Sequence, residues 1–244
     1  MTKEEKWLLE EGFSGEKSEA FFSALTRLHL SEPLAYILGY TPFIDCTIYL
    51  DSKPLIPRVE TEFWTEKLIN EISHRLPEAT ILDLCAGSGC IGVALQKNLR
   101  RSKVYFAETD STHLSTIEKN LEVNTGLKGK ERIFVSDLFS RLGNTKFDYI
   151  ATNPPYIDPR LDRVEEKVKR HEPAEALYGG EEGMEIIARI IADAPNHLNS
   201  SGQLWIEHEP EQSHFVQRLA GRCFKVTTHK DQYGLRRFSV LVLK

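Results

Sequence analysis

The run KFDYIAT at residues 146–152 is apolar and strand-like, and it ends in Asn153, Pro154, Pro155 and Tyr156. Prolines at that point stop further sheet pairing and bring no amide donors of their own, so nearby acceptors are left to something outside the sheet. Asn153 offers a side-chain oxygen. Pro154 offers a carbonyl whose direction the Pro-Pro pair stiffens. Two such acceptors can grip both N–H bonds of a planar –NH₂ group and orient a lone pair otherwise delocalised into the neighbouring π system. They also stabilise the positive charge that develops on nitrogen as it attacks a carbon electrophile. Tyr156 can stack on the planar group. Asn153, Pro154 and Tyr156 are therefore the candidate catalytic residues, and no general base is required, because the nitrogen can lose its proton to water afterwards. By themselves the four residues also fit a rigid turn after a strand.

A second constellation lies upstream. ILDLCAGSGCIG contains Gly87, Gly89 and Gly92, a G-x-G-x-x-G between a strand and a helix, and Glu108 ends the next strand 19 residues beyond Gly89. An acidic residue at that place can accept both ribose hydroxyls of an adenosine moiety. Dinucleotides and S-adenosylmethionine both fit this spacing. Asp83 separates them, since a carboxylate beside a pyrophosphate is repelled, whereas one near an ammonium and a sulfonium is favourable. The spacing thus points to S-adenosylmethionine, with the glycines letting backbone approach its methionine part. Asp137, at the end of the following strand, stands where such folds bound an adenine. It also fits a helix cap, and the glycine turn by itself fits one that binds nothing. For a methyl transfer from a sulfonium, the chain's main task is to hold the nucleophile roughly 3–3.5 Å from the methyl carbon.

The elements that must position these residues are legible in the hydropathy pattern. From residue 79 strands and helices alternate, and the tail FKVTTHKDQYGLRRFSVLVLK reads as two strands about a Tyr-Gly turn. That implies an α/β fold with a doubly wound, mostly parallel sheet closed by an antiparallel hairpin, its ligand crevice beyond the carboxyl ends of the strands. Within it, STHLSTIEKNLEVNTG reads as a helix with a Ser N-cap and a Gly stop, and GMEIIARIIADAPNHLNSSG as mostly helix. Upstream, residues 1–30 form two short helices, PFIDCTIYLDSKPLIP a hairpin, and ETEFWTEKLINEISHRL a helix with Phe63, Leu68, Ile72 and Leu76 on one face. The division expected is 1–30 as a short helical extension, 31–78 as hairpin and linking helix, and 79–244 as the catalytic domain.

Composition narrows the partners. The 244 residues carry a formal net charge of -5, which argues against broad phosphate contact. The most basic run, RLDRVEEKVKRHEP, alternates its charges and reads as a solvated helix face. Cys46, Cys85, Cys90 and Cys223 have no C-x-x-C spacing and read as small buried hydrophobes in a reducing compartment, and the scattered histidines make no metal site. No apolar run reaches the roughly 20 residues of a membrane span, and MTKEEKWLLEEG lacks a signal-peptide core. A cytoplasmic location is expected.

LDLCAGSG followed by NPPY resembles the class I methyltransferases that act on planar nitrogens, adenine-amino and glutamine-amide enzymes among them. EPLAYILGYTPF, PLIPRVETE, NPPYID, HEPAEALYGGEEGM and LWIEHEPEQ, in that order, are similar to the bacterial release-factor glutamine methyltransferases of the PrmC/HemK type, from about Glu32 to the C-terminus. The resemblance implies a seven-stranded Rossmann-like sheet and transfer of methyl from S-adenosylmethionine to the Gly-Gly-Gln glutamine of class 1 peptide chain release factors, by a monomer with no membrane or nucleic-acid partner. It puts cofactor contacts on Asp83, Cys85, Ala86, Gly87, Ser88, Gly89, Glu108, Asp137, Leu138 and Asn153, and the substrate on Asn153, Pro154, Pro155, Tyr156 and Arg58. Arg58 and Glu60 also fit a surface ion pair or a helix start. A ribosomal-protein glutamine, an adenine amino group and a non-catalytic cofactor-binding relic are the alternatives. The chain departs from the family at three places. Cys85 replaces a usual Gly, which a negative φ would tolerate. Glu108 replaces Asp. About 30 residues stand where the family has a helical N-terminal domain.

Overall fold

The computed structural model describes residues 1–161 and 163–244; Asp162, an acidic member of the 160–173 charge run, lies outside the described residues. Nine α-helices and nine strands suffice to place the site. At the N-terminus α1 (Lys3–Trp7) runs on into a π-helical turn, and α2 (Glu19–His29) is capped by the Ser18 hydroxyl. With α3 (Leu34–Leu38) they enclose a small core of their own, formed by Leu8, Phe21, Ala24, Leu28 and Leu34. The hairpin of β1 (Tyr40–Phe43) and β2 (Cys46–Tyr49) starts two residues earlier than its alternation suggests.

The main sheet is built from β3 (Thr80–Leu84), β4 (Lys103–Glu108), β5 (Ile133–Val135), β6 (Phe147–Thr152), β7 (Leu198–Glu207), β8 (Phe224–Lys230) and β9 (Arg236–Leu243). Their order is β5-β4-β3-β6-β7-β9-β8, parallel except that β9 runs antiparallel to both neighbours. The order reverses at β3, between β4 and β6, so the ligand crevice opens where β3 and β6 end. Helices α4 (Val59–Arg75), α5 (Cys90–Asn98) and α6 (Leu114–Thr125) cover one face through Trp64, Leu68, Ile72, Leu95 and Ile117. Helices α8 (Glu185–Asp193) and α9 (Ser213–Ala220) cover the other through Ile187, Ile190 and Val216. Covered on both faces, β3 reads TILDL without alternation, as a central parallel strand should.

Several local expectations need correction. Asp110, rather than Ser111, caps the turn entering α6, its carboxylate accepting from the Thr112 amide at 2.8 Å. Gly126, at φ +74, does stop α6. Helix α8 ends at Asp193, because Pro195 turns the chain into a 3-10 turn (Ala194–Asn196), and residues 198–202 belong to β7. On α4 the buried face is set by Trp64, while Leu76 is exposed and Phe63 half-buried. Cys223 is exposed, unlike the buried Cys46 and Cys90. The basic run does form an exposed helix, α7 (Glu166–His171), but Glu172 beyond it is buried. No described helix is long and apolar enough to cross a membrane.

Just past β7, His208 is fully enclosed, with Nδ1 2.8 Å from the Glu209 carbonyl and Nε2 2.8 Å from the Ser239 hydroxyl. Facing a carbonyl, Nδ1 carries the proton and Nε2 accepts, which fits a neutral ring. Burial pulls its pKa from 6.5 down to about 4. Between those values the unfolded chain binds a proton that the folded chain refuses, so stability falls as pH drops through that window, by on the order of 3 kcal/mol for this group. Urea melts of wild type and His208→Gln at pH 7 and 4.5 check this: the variant is expected to lose less stability on acidification.

Candidate active site

The two sequence constellations meet because their strands are neighbours in register. Leu84 of β3 pairs with Thr152 of β6, so the glycine loop leaves one strand beside the point where Asn153 leaves the other. On the opposite side Leu84 pairs with Ala107, which sets Glu108 against the same loop. A cavity of about 440 Å³ lies over these strand ends, lined by Cys85, Ala86, Gly87, Ser88, Glu108, Asp137, Leu138, Asn153 and Pro155 among others. A second, of about 340 Å³, adjoins it and is lined by Arg58, Asn153, Pro154 and Tyr156 with Val164 and Val168 among others. Asn153 lines both.

The loop adopts left-handed backbone at Cys85 (φ +58), Gly87 (φ +54) and Gly89 (φ +77). The negative φ under which a Cys is tolerated in place of the usual Gly is not met at Cys85, and this residue carries roughly 1–2 kcal/mol of strain that a Gly avoids. Gly92 is needed for a different reason: a Cβ there would lie 2.3 Å from the Phe106 ring, so its absence lets α5 settle on β4. Glu108 ties the loop down, one oxygen accepting from the Gly87 amide at 2.7 Å and the other from the Asp110 amide at 2.9 Å. Asn120 of α6 joins loop to hairpin, its amide nitrogen donating to the carbonyls of Ser88 and Tyr49.

Asp83 does not line the cavity. It is fully buried, with Oδ2 accepting from the Gly92 amide at 2.8 Å and Oδ1 without a partner among the described residues. Burial holds its carboxyl well above the usual range. Gly89 is likewise absent from the cavity wall, serving instead as the N-cap of α5. Asp137 lines the cavity and, among the described residues, caps no helix with its side chain; Arg189 of α8 pairs with it at 2.8 Å.

Around Asn153 lies a buried network that sequence reasoning missed. Its Nδ2 donates to the Thr61 hydroxyl at 3.1 Å, and that hydroxyl donates to Glu207 Oε2 at 2.7 Å. The Trp64 indole donates to the same oxygen at 2.7 Å, and the Tyr156 phenol to Oε1 at 3.0 Å. Burial pushes the Glu207 carboxyl upward against these three donors, and burial beside Glu207 pushes the Tyr156 phenol up, so it stays a donor. Among the described residues nothing engages Asn153 Oδ1 or the Pro154 carbonyl. The phenol anchor holds the Tyr156 ring at the wall of the smaller cavity. No pattern in the sequence joins residues 61, 64 and 207, which approach only through the fold.

The segment 178–183 clamps this loop from behind. Ile157 and Tyr178 form a bridge, Gln212 donates to the Tyr156 carbonyl at 2.8 Å, and Gly179 and Gly183 lie against the carbonyls of Pro155 and Tyr156. A Cβ on Gly183 would stand 1.9 Å from the Tyr156 oxygen, on a backbone already at φ +66. Gly183→Ala is therefore expected to lower stability by roughly 2–4 kcal/mol, measured by urea unfolding. Arg58 precedes α4 and pairs with the buried Glu172 at 2.7 Å; the other Glu172 oxygen accepts from the Ile56 amide at 3.0 Å. The pair fixes the PLIPRVETE segment across the mouth of the smaller cavity, and is more than the surface ion pair its sequence allowed.

A family model described as the methyltransferase small domain matches residues 60–170, from the start of α4 into α7. The release factor glutamine methyltransferase of Rhodopirellula baltica is 38% identical over 200 residues, covering 80% of this chain and 67% of that protein. The Francisella tularensis protein of the same name is 35% identical over 199 residues, covering 82% and 69%. A solved methyltransferase from Pyrococcus furiosus shares the fold at a TM-score of 0.58 and 16% identity, covering 91% of this chain and 98% of that one. The seven-stranded class I methyltransferase fold and these sequence matches agree, and the chain belongs to the release factor glutamine methyltransferase family.

Proposed function

We propose that this protein transfers a methyl group from S-adenosylmethionine to the side-chain amide nitrogen of a protein glutamine, that of the Gly-Gly-Gln motif in class 1 peptide chain release factors. One observation carries the reading: Asn153 lies on the shared wall of two adjoining cavities with its amide nitrogen tied back to Thr61, which leaves its oxygen to face a ligand.

The larger cavity suits the cofactor. Its volume is within the range of small-molecule sites. Each Glu108 oxygen has accepted one amide and keeps one lone-pair direction, enough for two ribose hydroxyls. Asp83 lies behind the loop and not on the cavity wall, with its carboxyl held toward the neutral form by burial; a cationic ligand end nearby would favour its carboxylate. Cys85 to Gly89 would flank the methionine portion, and Asp137 and Leu138 the adenine. When bound, S-adenosylmethionine supplies a methyl carbon made electrophilic by its sulfonium. Asn153 Oδ1 and the Pro154 carbonyl then accept the two N–H bonds of the substrate amide, aim its lone pair and stabilise the charge growing on nitrogen. Pro155 stiffens the Pro154 carbonyl, and Tyr156 supplies a flat wall. The proton leaves to water. Arg58 lies at the substrate entrance. We take residues 79–244 as the catalytic domain, with 31–78 bridging to it and 1–30 as a helical extension.

The test is transfer of labelled methyl to a release factor, to ribosomal proteins and to DNA in parallel. Label is expected in the release factor and lost when its Gly-Gly-Gln becomes Gly-Gly-Ala. Label only in another substrate would overturn the assignment.

A further inference from the structure

Resting on that reading, we propose that Thr61 and Glu207 are positioning residues that set the polarity of the Asn153 amide, and thereby select a carboxamide over a carboxylate in the substrate pocket.

An Asn side chain can present either oxygen or nitrogen to a ligand, and the two choices recognise opposite partners. Here the choice is fixed from behind. The Trp64 indole N–H can only donate, so Glu207 Oε2, its partner, acts as an acceptor. Thr61 shares that oxygen and spends its single hydroxyl proton there, so toward Asn153 it has only lone pairs. Only Nδ2 can approach it, and Oδ1 must turn toward the cavities. The relay is rigid: Thr61, Trp64 and Glu207 are at most 1% exposed, and Thr61 sits in the first turn of α4 while Glu207 ends β7. The reversed amide would bring two acceptors together at Thr61 and aim an N–H pair at the ligand. That arrangement would favour a glutamate carboxylate, an unreactive look-alike of the substrate side chain. A site whose buried groups are left unpaired by the wrong ligand discriminates strongly.

Thr61→Val keeps shape and removes the relay, and Thr61→Ser restores a hydroxyl. Peptides carrying Gly-Gly-Gln or Gly-Gly-Glu are the probes, the second as a competitive inhibitor. Wild type is expected to prefer the glutamine peptide by roughly 100-fold, and Thr61→Val to narrow that preference about tenfold and lower kcat about tenfold, with Thr61→Ser near wild type. A merely structural role for Thr61 leaves the ratio of the two peptides unchanged, and that result would overturn the proposal. In wild type, nuclear Overhauser contacts from the Asn153 Nδ2 protons to the Thr61 side chain are expected. This readout needs neither turnover nor a folded variant, and absent contacts overturn the relay whichever protein is the substrate. Wild type that shows the contacts but ignores glutamine peptides refutes the proposed substrate and the selection built on it, and leaves the amide polarity standing.

Discussion

Asn153→Ala is expected to lower the methyl-transfer rate by roughly 10²–10³-fold, the scale seen when one preorganised polar group at a reacting centre is removed, while the dissociation constant for S-adenosylmethionine stays within about threefold. Asn153 stands on the wall shared by two cavities, and nothing among the described residues occupies its side-chain oxygen. An acceptor that grips the attacking nitrogen strengthens as positive charge develops, so its loss acts on the transition state more than on binding. In the proposed arrangement the cofactor's main polar anchor is Glu108, not Asn153. Single-turnover kinetics with labelled cofactor, alongside calorimetry, separates the two effects. A variant that turns over at the wild-type rate removes Asn153 from the chemistry.

Glu108→Ala shows the complementary pattern, with cofactor affinity lost first. Two of the carboxylate's acceptor directions are taken by the amides of Gly87 and Asp110, which leaves two on a side chain that lines the cavity. A charge-assisted hydrogen bond of this kind contributes roughly 1.5–3 kcal/mol, so the dissociation constant is expected to rise about 10- to 150-fold. Freeing the Gly87 amide also loosens a loop that already carries left-handed backbone at Cys85. Calorimetry on the variant checks this, and an unchanged constant excludes Glu108 from the cofactor site.

The parts of this site that were legible in the sequence are those coded locally. The glycine spacing, Glu108 at the end of its strand and the Asn-Pro-Pro-Tyr run each announce a strand that stops and a loop that begins, and parallel topology then brings such loops together at one edge. What stayed hidden depends on contacts between distant residues. Thr61 and Trp64 look like ordinary positions on an amphipathic helix, and Glu207 like the end of a strand, until β7 and α4 place them within hydrogen-bond reach. Glu172 read as one more charge on a solvated helix, because nothing local shows that the chain beyond α7 turns inward to meet Arg58. The backbone at Cys85 is not legible from its identity, which argues against left-handed φ but cannot forbid it when the surrounding turn demands it. The cap at Asp110 stayed hidden because the short 3-10 turn entering α6 has little signature of its own, whereas the end of α8 at Asp193 follows from Pro195.

In the proposed reaction a fixed carboxamide oxygen and a stiffened carbonyl hold a flat –NH₂ against a sulfonium methyl. Tandem mass spectrometry of a class 1 release factor, incubated with the enzyme and labelled S-adenosylmethionine, locates the transferred group to the atom. The expected result is one methyl on the side-chain amide of the Gly-Gly-Gln glutamine, present with wild type and absent with Asn153→Ala. Label on a carboxylate, a hydroxyl or a backbone site, or equal labelling by the variant, would contradict it.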